Sequence, residues 1–237
     1  MDFNSSLFSW FVVIVLVISP LFVVTAIPYC LGCLSEVITD SEHFLHDDAR
    51  KSGGENAGRT RFLRDFDGPL TFSVILCVAL TSVLSVLIGA GVGWFIGAIS
   101  FVGAFGDSLE FALVLGKYWA ATFYLLGHKF PVLFDVKEGK SILFGGIVAL
   151  MLDWRLALLV WGGFLILTAL TRYVSLGSTF AAVAFPVGTW LFVSHSLVIM
   201  CLAVFLGGLI LWKHRGNIQR LLKGEESKLS FHKKETK

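Results

Sequence analysis

Four polar segments of this chain carry residue types suited to binding and transferring charged groups. The most concentrated is Gly127-His-Lys-Phe-Pro-Val-Leu-Phe-Asp-Val-Lys-Glu-Gly-Lys-Ser141, which sets His128, Lys129, Asp135, Lys137, Glu138 and Lys140 between two apolar runs. Lys and Asp each cost about 2.5–3.5 kcal/mol at a bilayer centre on insertion scales, so such a cluster sits at a membrane face or lines a wet cavity. Lys137 and Lys140 straddle Gly139 just before an apolar run that starts at Ile142. That arrangement suits an anion, because glycine bares backbone N–H groups and a helix N-terminus adds positive potential. Residues 53–64 offer Gly53, Gly54, Asn56, Gly58, Thr60 and Arg64 in the same vein. Ser175 and Ser178 flank Gly177 ahead of another apolar run, and Lys213-His-Arg-Gly-Asn217 brings His214, Arg215 and Asn217 to the end of the last one. Gly139-Lys-Ser141 is similar to the end of a Walker A loop, but Phe134 stands where the upstream glycine belongs. Taken together, these residue types fit a phosphate-bearing ligand that meets a membrane-soluble partner.

The elements that must position them are membrane helices. The chain has 237 residues, 56% of them hydrophobic, 14% aromatic and only 15% charged, where a soluble domain is nearer a quarter charged. The pattern predicts an all-α polytopic membrane protein. Apolar runs at 7–28, 68–106, 108–126, 142–152, 156–170, 179–193 and 197–212 give about seven transmembrane helices in one domain over 1–212. A polar loop at 30–68 interrupts them, and 213–237 follows as a basic tail, helix-prone at first and Lys-rich at its end. The run at 68–106 is long enough for one helix and an extra apolar piece at 90–106, with Gly89, Gly91 and Gly93 marking the expected break. The first run has no Lys or Arg ahead of it and exceeds a signal h-region, so it reads as a retained helix.

Four cysteines do not make a disulfide framework here, because Cys77 and Cys201 lie within apolar runs. Cys30 and Cys33 with His43 and His46 make a weak zinc set, since the two intervening residues between the histidines fall short of the usual three to five. No metal is assigned.

Positive charge orients the chain. Arg50, Lys51, Arg59, Arg61 and Arg64 lie in the 30–68 loop, Lys129, Lys137 and Lys140 in the 127–141 segment, and Arg172 in a third polar break. The tail adds eight more, leaving only Lys117 and Arg155 elsewhere. Seven crossings with the N-terminus outside place all four basic segments, and the C-terminus, in the cytoplasm. The 90–106 piece is then re-entrant, interfacial, or an extension of a neighbouring helix.

These segments resemble, in order, those of the bacterial acyl-phosphate:glycerol-3-phosphate acyltransferases (PlsY type). Ile27-Pro28-Tyr29 is similar to the family's IPFG-like end of helix one, and residues 53–64 to its GSGNxGATNxLR motif. The 127–141 segment is similar to GHxFPVFxxFKGGKG, Thr171 to Ser178 reproduces TRYVSLGS, and residues 214–222 match HRxNIxRLL. The resemblance spans about 27–229. Gly54 and Glu55 replace a Ser and a Gly of the first motif, Glu138 and Ser141 replace glycines of the second, and Gly216 replaces a Glu of the last.

The resemblance implies transfer of a fatty acyl group from acyl phosphate to the 1-hydroxyl of glycerol 3-phosphate, giving lysophosphatidate and phosphate, in the bacterial inner membrane. It implies no cofactor and no nucleic-acid partner; the partners are the two substrates and membrane lipids. It assigns His214, Asn217, Asn56 and Arg64 to catalysis. Gly53, Gly54, Gly58, Thr60, His128, Lys137, Gly139, Lys140, Ser141, Ser175, Ser178 and Arg215 are assigned to substrate binding. His214 acts as a base or only as a hydrogen-bond donor, because a substrate phosphate can itself take the hydroxyl proton. The replaced residues keep two alternatives open: the same scaffold with another acceptor or donor, and a non-catalytic protein that binds lipid or a partner.

Overall fold

The computed structural model describes residues 15, 18–39, 68–98, 109–131 and 142–228. Gly53, Gly54, Asn56, Gly58, Thr60, Arg64, Lys137, Gly139, Lys140 and Ser141 lie outside the described residues. So do residues 7–14, the 99–106 part of the extra apolar piece, and the end of the tail. All regular structure among the described residues is helical: α1 (Ser19–Thr39), α2 (Gly68–Ala98), α3 (Leu109–Lys129), α4 (Ile142–Leu152), α5 (Trp154–Thr171), α6 (Val174–Phe192), α7 (Leu197–Lys213) and α8 (Arg215–Leu222). They fall into two compact units divided between Phe144 and Gly145. Four stretches are long and apolar enough to cross a membrane: Ile75–Ala98, Leu109–Lys129, Trp154–Thr171 and Val174–Phe192. The bent pair α7–α8 makes a fifth if counted as one span, while Ser19–Ser35 and Leu143–Leu152 are apolar but shorter. Length and composition alone thus support four or five of the seven or so crossings expected.

In the first unit α1, α2 and α3 pack against one another. No break occurs at Gly89, Gly91 and Gly93, because α2 runs unbroken for 31 residues and residues 90–98 extend it. At 1.5 Å per residue that is about 46 Å, more than a hydrocarbon core needs. The glycines serve packing instead. Gly89, Gly93 and Gly97 recur every fourth residue on one face of α2, against Ala112, Gly116 and Ala120 of α3. A methyl group at Gly89 would collide with the Gly116 carbonyl, and one at Gly93 with that of Ala112. Glycine costs a helix about 1 kcal/mol relative to alanine. Here the cost is offset by backbones that approach closely, the way small residues drive helix association in lipid. Gly91 faces away, with nothing within 4 Å of a methyl group placed there.

The helix at the N-terminal side also runs further than its sequence suggests. Residues 30–39, read as the start of a polar loop, continue α1 through Cys30 and Cys33 to Thr39. Pro28 sits inside that helix, buried.

In the second unit α6 packs on α5, α7 and α8. Asp153 caps α5, its Oδ1 accepting from the Arg155 N–H at 2.7 Å. Arg155 returns a two-pronged ion pair to Asp153 and donates to the Phe192 carbonyl at 3.2 Å, so one side chain secures the ends of α5 and α6. The hydrogen bond from Arg155 holds the Asp153 carboxyl below its ordinary range. The polar break expected over 172–178 shrinks to Arg172 and Tyr173. Arg172 takes a left-handed conformation (φ 62°, ψ 12°), and α6 begins at Val174. Ser178 and Thr179 join the helix because each hydroxyl donates to the carbonyl four residues back, Val174 and Ser175.

The α2–α3 seam predicts opposite outcomes for neighbouring glycines. Gly89→Leu should lower the thermal midpoint of the purified protein sharply or prevent its recovery as a monodisperse species. Gly91→Ala should leave the midpoint unchanged or raise it, in line with about 1 kcal/mol of helix propensity. Equal sensitivity at the two positions would argue for a helix break rather than a packed stripe.

Candidate active site

The first unit places one of the expected site residues, His128, at the end of α3. Gly127 and Gly32 bring α3 and α1 into backbone contact, since a methyl group at either would strike the other helix's main chain. That approach places His128 inside the contact, fully buried, with its ring parallel to Tyr124. Ser35 Oγ lies 2.8 Å from both His128 Nδ1 and the Gly32 carbonyl. A hydroxyl has one proton. When Ser35 donates it to Gly32, His128 must present Nδ1–H to the Ser35 oxygen. Tyr29 Oη donates to the Phe130 carbonyl at 2.7 Å, one residue past α3. His128 is thus held between α1 and α3 by packing and a hydroxyl, and Lys129 beside it is 1% exposed.

The second unit assembles the other group around a single carboxylate. The α6 hydroxyl of Ser175 donates to Glu226 Oε1 at 2.5 Å, and the α8 amide of Asn217 donates to the same oxygen at 3.2 Å. Arg220 Nε donates to Glu226 Oε2 at 2.9 Å and completes an ion pair. Burial works against ionisation of Glu226. The hydrogen bonds from Ser175, Arg220 and Asn217, with the charge of Arg220, outweigh it and hold the carboxyl below the usual glutamate range.

The geometry follows from how α8 begins and ends. The chain bends by 60° between α7 and α8, and His214 is the hinge. Its backbone N–H reaches the Ile210 and Leu211 carbonyls while its own carbonyl accepts from Ile218. The His214 ring is buried, and Nδ1 lies 2.9 Å from the Ile210 carbonyl. A carbonyl only accepts, so Nδ1 carries a proton and the neutral ring keeps its lone pair on Nε2. Three residues on, Asn217 points from the first turn of α8 toward Glu226. At the far end Glu225 N–H bonds to the Arg220 carbonyl and Gly224 N–H to that of Leu221. With Gly224 at φ 73° this is a Schellman ending, which turns the chain back so that Glu226 meets α8 and α6.

Among the expected residues, Ser175 and Asn217 share an acceptor and His214 lies one turn from Asn217. Ser178 is buried with its hydroxyl bonded to its own helix. Arg215 is exposed, stacked 4.5 Å above Trp212 and donating to the Trp212 carbonyl. It therefore turns away from the carboxylate. Glu226, Arg220 and Ser35 were not anticipated. Their signals were faint: a lone acid after a basic helix, a cation read as a topology charge, and a serine in an apolar run.

Comparison with known proteins identifies the family. The family described as Glycerol-3-phosphate acyltransferase matches residues 22–224. The glycerol-3-phosphate acyltransferase of Paraburkholderia xenovorans is 30% identical over 214 residues, covering 90% of this chain and 92% of that protein. That of Methylococcus capsulatus is 31% identical over 204 residues, covering 85% and 92%. The crystal structure of PlsY, an integral membrane glycerol 3-phosphate acyltransferase, in its glycerol 3-phosphate form superposes with a TM-score of 0.64 at 26% identity, covering 90% of this chain and 96% of that one. Its lysophosphatidic acid form gives a TM-score of 0.61 at 25% identity over the same shares. With the match to the family extending over most of its length, the chain is an integral membrane protein that belongs to the glycerol-3-phosphate acyltransferase family.

Proposed function

We propose that the protein transfers a fatty acyl group from acyl phosphate to the 1-hydroxyl of glycerol 3-phosphate at the cytoplasmic face of the inner membrane. The hydroxyl oxygen bonds to the acyl carbon, the bond from that carbon to the phosphate oxygen breaks, and lysophosphatidate and inorganic phosphate leave. The hydroxyl proton passes to His214 Nε2 or to the departing phosphate. Acyl phosphate already carries a good leaving group, so the enzyme contributes chiefly position and charge. No cofactor enters this reading.

The observation that carries it is the carboxylate-centred set of Ser175, Asn217 and Arg220 beside the buried His214. Ser175 commits its only proton to Glu226, so its oxygen meets any further group as an acceptor. An acceptor next to a carboxylate repels a phosphate and welcomes a hydroxyl. Ser175 therefore reads the glycerol hydroxyls, whereas its sequence context alone suggested phosphate. The phosphate-holding role falls to Lys137, Gly139, Lys140 and Ser141, and the donor side to Asn56, Thr60 and Arg64 with Gly53, Gly54 and Gly58. His128, Ser178 and Arg215 drop out of direct contact on this reading. The basic segments keep the N-terminus outside and the C-terminus in the cytoplasm.

A second reading rests on Glu138, a negative charge where a glycine is usual next to the phosphate-holding lysines. It would suit an acceptor with less negative charge. Incubating purified protein with acyl phosphate and glycerol 3-phosphate separates the two. The proposal expects phosphate and lysophosphatidate in equal amounts, and His214→Ala should lower kcat by about 10²-fold or more. Phosphate without lysophosphatidate would indicate another acceptor, and neither product from folded protein would leave a non-catalytic role.

Glu226 generates a pH prediction. Its carboxyl is depressed in the folded protein, so its stabilising contribution is complete above the ordinary glutamate range. It is lost as pH falls through the lower folded value. Glu226→Gln should cost about 1–3 kcal/mol at neutral pH, the usual scale for hydrogen bonds to a charged group. The thermal midpoints of wild type and variant, followed from pH 7 to pH 3, should converge at the acid end. A constant gap across that range would mean the charge on Glu226 contributes nothing.

A further inference from the structure

The outer face of α8 presents a combination that the acyl-transfer chemistry leaves unused. The apolar run of α7 ends at Trp212, which is 46% exposed, and Lys213 in the last turn is its first charge. Trp at such a boundary marks the membrane–water interface. Lys213 Nζ and the Arg215 guanidinium both sit over the Trp212 ring, at 5.1 and 4.5 Å. The 60° bend then carries α8 away from the direction of the spanning helix. With a typical tilt of about 20° for α7, that bend sets α8 at about 40° to 80° from the membrane normal. The inner face of α8 is occupied by Asn217 and Arg220. The outer face exposes Arg215, Leu222 and Lys223, with Leu222 82% accessible. An aliphatic side chain that open, ringed by cations, matches no aqueous neighbour, but it does match the boundary between headgroups and acyl chains. Glu226 is already spent on Arg220, so Glu225 is the one exposed acid on this stretch among the described residues.

We propose that the outer face of α8, with Trp212 and Lys213, is a docking surface for the headgroups of anionic phospholipids. Leu222 and Trp212 insert at the acyl boundary, while Lys213, Arg215 and Lys223 meet the lipid phosphates. Because Asn217 and Arg220 project from the opposite face of the same two-turn helix, lipids that hold α8 also hold those residues in register with Ser175. The inference rests on α7 spanning the membrane but not on the reaction assigned above.

Hydrogen–deuterium exchange of the full-length protein in nanodiscs tests it without substrate. Backbone amides of residues 215–224 should exchange at least about 5-fold more slowly in discs containing phosphatidylglycerol than in pure phosphatidylcholine, a factor set by one cation near an anionic surface. The difference should disappear in 0.5 M salt and in the Lys213→Gln/Lys223→Gln double variant. Amides of α3 and α5 serve as the record that the variant is folded. Equal exchange of α8 in the two lipids would overturn the proposal. So would equal protection on adding inorganic phosphate to phosphatidylcholine discs, since that would make the face a free-anion site. Acyltransferase activity with lipid-insensitive exchange would remove this inference alone, whereas lipid-dependent exchange without activity would remove only the proposed reaction.

Discussion

The Glu226 carboxylate is the constraint on which the second unit depends. Three donors from two helices, Ser175 of α6 and Asn217 and Arg220 of α8, converge on its two oxygens. None of them would face the others without an acceptor to share. The carboxylate is more than a convenient partner, because it arrives from the chain just beyond α8 and closes that short helix onto α6. Eight residues are too few to be stable as a helix alone. Tertiary contact must supply what propensity cannot, and Gly224 supplies the turn that makes the contact reachable.

This explains why the sequence was informative about scaffold and less so about the site. Apolar runs and basic segments set the all-helical class and the positions of α3 to α7 to within a few residues, since bilayer thickness dictates the length of a span. Glycines misled. In a soluble helix Gly89, Gly91 and Gly93 would argue for a break, but in α2 two of the three are contact points against α3. Spacing by four carried that information and local glycine density hid it. The polar stretch after Thr171 misled in a related way. Ser178 and Thr179 bond back to their own helix and so do not end it.

Among the candidate site residues, the fold brings Ser175 and Asn217 onto one carboxylate and sets His214 one turn from Asn217. Other candidates have their polar groups engaged in contacts between or along helices. His128 looks like a ligand residue when read along the chain, but two glycines bring α1 against α3 and enclose it with Ser35. Arg215 looks like a phosphate partner next to His214, yet a helix turns successive residues by about 100°, which puts it on Trp212 and Asn217 on Glu226. Glu226 escaped notice because nothing local marks it. Its partners are contributed by α6, some fifty residues earlier, and by α8 across a reversed turn.

The same carboxylate also bears on how a doubly anionic acceptor can be handled. A site lined only with donors and cations would hold the phosphate of glycerol 3-phosphate and its hydroxyls with equal indifference, and several orientations would compete. If Ser175 and Asn217 meet the acceptor as proposed, a carboxylate within their hydrogen-bond reach breaks that symmetry. It repels the phosphate end by Coulomb interaction and turns Ser175 into an acceptor for a hydroxyl. On the proposed reading, orientation comes from opposed preferences, with the phosphate turned away from a negative charge that draws a hydroxyl. Burial disfavours the charge, and the pairing with Arg220, together with the hydrogen bonds from Ser175 and Asn217, holds the Glu226 carboxyl below its ordinary range. A neutral residue at 226 could still tether Ser175 and Asn217, but on the proposed reading it could not tell a phosphate from a hydroxyl.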